Sequence, residues 1–125
     1  MPAWNLFAAW VGILLGFITG AVQGMFFHQE EWLGGYSSWP RRITRLGHIS
    51  FFGLAFINLA FVLTVEHLEI RSGLFWPSML LIVGAATMPL VCYLSAWRKP
   101  LRNLFFVPVL SLIVAALLVL IRLGN

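Results

Sequence analysis

Charge is what this 125-residue chain has least of: eight basic and four acidic side chains, 10% of the total. A soluble domain is nearer a quarter charged, which excludes an ordinary water-facing globular surface. The single cysteine, Cys92, lies in an apolar run. That rules out an internal disulfide and a cysteine-based zinc site, and reads as a small buried apolar residue. Acidic residues are missing from the interior of every apolar segment, whereas a proton- or ion-coupled transporter normally carries one at that depth. Phosphate-loop, Gly-x-Ser-x-Gly and His-Glu-x-x-His signatures are absent, and no serine has a placed base. A conventional enzyme is not expected.

What is present is apolar. Hydrophobic residues make up 61% and the mean hydropathy is +0.93. The formal charge of +4 does not call for nucleic acid, because the charges lie between or beyond apolar runs rather than on one face. Four such runs cover about residues 3–27, 43–65, 74–97 and 104–121. Each is near the roughly 20 residues a helix needs to cross ~30 Å of hydrocarbon. The first has no basic flank before it and exceeds the apolar core of a signal peptide, so it is expected to be retained. Short connections make neighbours antiparallel. The expected fold is all-α: a single domain over residues 1–125, a polytopic membrane protein built as a four-transmembrane-helix up-down bundle.

Arg41, Arg42, Arg45, Arg98, Lys99 and Arg102 fall in or beside the first and third loops, and only Arg71 and Arg122 on the other side. The positive-inside bias puts loops 29–42 and 98–103 in the cytoplasm and both termini on the outer, periplasmic side, as in a bacterial inner membrane. Trp39 and Trp97 precede the basic clusters and Trp4 and Trp76 suit the opposite interface, where aromatic belts form.

Gly12, Gly16, Gly20 and Gly24 recur every fourth residue, with Ala8 one step earlier. In water each glycine would cost a helix about 1 kcal/mol against alanine. In lipid the backbone has to bond to itself, and small residues four apart form a bare seam for a second helix. The seam predicts close docking of the other helices or of another copy, hence a homo-oligomer or a larger membrane complex.

His48 is the ionisable group at membrane depth, three residues after Arg45 on the same helix side. It could ligate haem b with His28 as second ligand, with the arginines near the propionates. It could instead hold a quinone carbonyl or a lipid headgroup together with Arg45 and Arg42, or simply bond to a neighbouring helix. The stretch Arg42-Ile43-Thr44-Arg45-Leu46-Gly47-His48-Ile49 loosely resembles the His-bearing helix starts of small membrane cytochrome-like proteins, over these few residues, and no residue role is carried over from it. Glu66, His67 and Glu69 read as a solvated helix end, with a divalent-metal cluster as the sharper alternative. Asn58, near the middle of the second segment, reads as interhelical glue. Pro89 and Pro108 each mark a helix interruption. The leading functional expectation is a non-enzymatic subunit or scaffold. A haem- or quinone-binding electron-transfer module and a small transporter or channel are the alternatives.

Overall fold

A computed structural model describes residues 2–125. All regular structure among the described residues is helical, and four of the helices are long and apolar enough to cross a membrane: α1 (Pro2–Gly24), α2 (Trp39–His67), α3 (Phe75–Trp97) and α4 (Phe106–Gly124). A short 3₁₀ turn, Trp32–Gly34, lies between α1 and α2, and a 3₁₀ helix, Lys99–Phe105, leads into α4.

Two boundaries differ from the expected ones for identifiable reasons. The first apolar run ends its helix at Gly24, not Phe27, because the chain tightens there: the Phe26 amide donates to Gln23 and the Gln29 amide to Phe26, three residues back instead of four. The second helix starts earlier, at Trp39. There Ser38 is an N-cap whose Oγ accepts from the Arg41 amide at 3.3 Å, and Pro40 occupies the first turn, where no amide donor is needed. At 29 residues α2 is about 43 Å long, so its ends reach past a ~30 Å hydrocarbon layer.

The two proline expectations resolve differently. Pro108 does not interrupt α4: that helix begins at Phe106, which puts the proline in its first turn. Pro89 does lie inside α3 and is buried there, with the helix continuing through it.

The helices run up and down but do not close into a ring. α2 packs on α1 and α3, α3 packs on α4, α1 touches α3 more lightly, and α4 approaches neither α1 nor α2 with its backbone. Thus α2 and α3 are the central pair and α1 and α4 the flanks. In the most apolar stretch of each helix, 39% of α2 is buried against 11% of α4. The core joining α2, α3 and α4 is Phe61, Val65, Leu81 and Ala115.

Close approach comes from glycine notches at all three interfaces. A Cβ at Gly12 would lie 3.0 Å from the Phe51 carbonyl oxygen, and one at Gly16 2.7 Å from the Phe52 ring. Gly20 faces His48, Gly47 faces Tyr93 and Cys92, and Gly84 receives Leu112. Gly24 meets nothing. The seam of α1 is therefore covered by the chain's own α2 through three of its four glycines.

Candidate functional site

Polar side chains inside an apolar bundle must find partners, since lipid offers none. They gather in two layers between α1, α2 and α3. We call the end holding the α1–α2 and α3–α4 links the loop end, and the opposite one the terminal end.

The terminal-end layer is Asn5, Asn58 and Ser78, all fully buried. Asn5 Nδ2 donates to Asn58 Oδ1 at 2.8 Å and to the Ser78 carbonyl at 3.2 Å, while Ser78 Oγ donates to Asn5 Oδ1. Asn58 Nδ2 donates to the carbonyls of Leu54 at 2.9 Å and Leu81 at 3.3 Å. Each amide is satisfied, and three helices are tied at one level. Asn58 sits nearer the terminal end than mid-helix placement implied, because its partners lie in the first turns of α1 and α3. Asn5 was legible by the same argument as Asn58, being the one amide near the start of an apolar run.

The loop-end layer surrounds His48. This residue lies nine positions, about 13 Å, along α2 from Trp39. Its Cε1 edge rests against Gly20, where a Cβ would come within 2.6 Å. Its Nδ1 shares a 3.2 Å hydrogen bond with Thr19 Oγ1, which also lies 2.8 Å from the Leu15 carbonyl. Phe52 stacks edge-on against the imidazole at 5.5 Å, and Phe17 against Phe52 at 5.3 Å. One turn from Thr19, the buried Gln23 donates from Nε2 to the Tyr93 hydroxyl at 2.7 Å, which ties α1 to α3. Its Oε1 is buried without a partner.

The expected His28, Arg42, Arg45 and His48 group is not brought together. His28 is exposed in the link after α1. Arg45 turns back to the link, stacking on Tyr36 at 4.2 Å and donating to the Tyr36 carbonyl at 3.1 Å. Arg42 is exposed at the rim. A porphyrin held by His28 and His48 does not fit these residues: the imidazole edge is set against α1 at Gly20, with Nδ1 on Thr19. At the other end, Glu66 pairs with Arg71 at 3.8 Å across exposed side chains, and among the described residues no three potential metal ligands are gathered.

Arg41 is the residue that sequence reasoning passed over. It is 3% exposed, yet no carboxylate pairs with it among the described residues. Its Nη1 donates to the Gln29 and Glu30 carbonyls at 3.1 and 3.2 Å and its Nη2 to the Phe27 carbonyl at 2.7 Å. The rings of Phe27, Trp32 and Tyr36 surround the guanidinium at 5.3–5.8 Å. Carbonyl dipoles and ring faces thus carry a buried cation, and the link from α1 to α2 is folded around it. Nothing in the run of three arginines marks which one turns inward.

The arrangement is suited to holding helices together. Comparison with family models, with curated proteins and with solved structures returned no match.

Proposed function

We propose that this protein is a non-enzymatic membrane subunit or scaffold, one protomer of a homo-oligomer that packs through its flanking helices. One observation carries this reading. Apart from Gln23 Oε1 and Arg41 Nε, the buried side-chain polar atoms of the described residues are spent on one another and on backbone carbonyls, whereas α1 and α4 present nearly bare apolar flanks. Trp4, Phe7, Trp10, Leu14 and Phe17 face outward on α1, and Leu110, Ile113, Leu117 and Leu120 on α4. The covering of the glycine seam by α2 moves the docking surface from the seam to these flanks. The loop end would face the cytoplasm of a bacterial inner membrane, a reading supported by the positive-inside bias of its basic residues.

The test is a photo-crosslinker placed at Leu117 and, separately, at Phe7, with the mass of the purified protein measured in lipid nanodiscs. Protein-to-protein adducts from either flank and a mass of two or more copies are expected. A single copy at every protein-to-lipid ratio, with lipid adducts only, would sink the proposal.

A second reading, a solute path between α1, α2 and α3, is favoured by one feature. Gln23 Oε1 and Arg41 Nε are buried and without hydrogen-bond partners at the loop end. Flux through liposomes that is abolished by Gln23→Leu would bring it forward, and no flux across a broad solute panel would remove it.

A further inference from the structure

We propose that the rim of the loop end binds an anionic phospholipid, its phosphate held by Arg42, Lys99 and Arg102 around Trp39 and its acyl chain lying along the exposed face of α2. The loop end holds six cations against two carboxylates, Glu30 and Glu31; the terminal end holds two against two, so the whole +4 sits at one end.

Arg98 stacks on Trp97 at 5.7 Å, and the other five cations divide by what they touch. Arg41 and Arg45 are committed to backbone carbonyls. Arg42, Lys99 and Arg102 are exposed and form no hydrogen bond or ion pair among the described residues. Glu30 and Glu31 pair with none of them.

One of the three is placed by a contact and the other two by helix spacing. Trp39 is fixed by its indole Nε1, which donates to the Ser95 carbonyl at 2.9 Å, and its ring holds Lys99 Nζ at 5.3 Å. Arg42 follows Trp39 by three residues, one turn along the same side of α2. Lys99 and Arg102 are three apart in a 3₁₀ helix, where positions i and i+3 eclipse.

Below Arg42 the same side of α2 continues with Leu46, Ile49 and Phe56, all exposed, and a side chain at Gly53 would meet nothing within 4 Å. A cationic rim above an apolar track matches an amphiphile with a phosphodiester head, such as phosphatidylglycerol. A free phosphate would use only the rim.

The experiment uses the full chain in nanodiscs of phosphatidylcholine doped with a small fraction of phosphatidylglycerol, with retained lipid identified by native mass spectrometry. Wild type is expected to retain phosphatidylglycerol at least about fivefold above its bulk fraction, falling as salt screens the site. The R42Q/K99Q/R102Q variant should lose that enrichment, while R71Q, at the terminal end, keeps it. Equal retention of the two lipids, or enrichment that survives in the triple variant, would overturn the proposal. If the triple variant does not fold, the salt titration of wild type decides: enrichment indifferent to salt overturns it. Thermal stabilisation by inorganic phosphate equal to that by the lipid would also overturn it, in favour of a soluble anion.

Discussion

His48 and Gly20 illustrate how little room separates α1 from α2. A Cβ at Gly20 would fall 2.6 Å from the imidazole and one at Gly16 2.7 Å from Phe52, whereas Gly24 has open space. Overpacking a fitted interface costs typically about 1–3 kcal/mol. Gly20→Leu is therefore expected to destabilise by about that much, and Gly24→Leu by less than about 0.5 kcal/mol, the usual range of a surface change. Reversible unfolding in bicelles measures both, and equal losses would contradict the interface described. The Asn5–Asn58 pair belongs to the same scale. Amide bonds between membrane helices contribute on the order of 1 kcal/mol. A double-mutant cycle of Asn5→Leu and Asn58→Leu should return a coupling of about that size, and a value near zero would mean the pair is not formed in the membrane. Asn58 could be read as glue from its setting alone, and so could Asn5. The contact of Gly20 with His48 could not, because it depends on the register of two helices.

At the level of elements, the link between α1 and α2 hangs on one side chain. Arg41 ties down the stretch that follows α1, since the carbonyls of Phe27, Gln29 and Glu30 accept from it. Arg41→Met should leave those carbonyls without their donor while α3 and α4 stay folded. Hydrogen exchange of the link amides is expected to rise about tenfold, the effect of losing roughly 1.4 kcal/mol of local stability. Arg41→Lys should not restore protection, because an ammonium cannot span carbonyls that a guanidinium fork reaches together. Unchanged exchange in Arg41→Met would show that the link holds without it. The helix boundaries followed from apolar run length to within a few residues. They missed at Gly24 and Trp39, where a tightened turn and a serine cap, both local backbone events, override hydropathy.

For the whole molecule, orientation and assembly remain the quantities to measure. The +4 charge concentrated at the loop end predicts that end to be cytoplasmic. Cys92 is fully buried, so cysteines introduced at Ser37 and Leu68 can be read against low background. In intact spheroplasts an impermeant maleimide should label Leu68→Cys and spare Ser37→Cys, and the reverse pattern would invert the topology. α4 rests on α3 through Leu112 in the Gly84 notch and joins the core at Ala115, and its apolar stretch is the least buried of the four.

Composition and charge order were enough to determine four membrane helices, their alternation and the side on which the cations collect. Those properties depend on transfer free energy, which is a sum over residues in a window. Which glycine meets which side chain, which arginine turns inward, and that α1 and α4 stay apart as flanks were decided only by the tertiary structure. Each of these depends on the rotation and register of one helix against another. In lipid, which covers any apolar face equally well, hydropathy does not select that register. It is selected by the fit of notches such as Gly20 and Gly84 and by the few polar groups that must find one another.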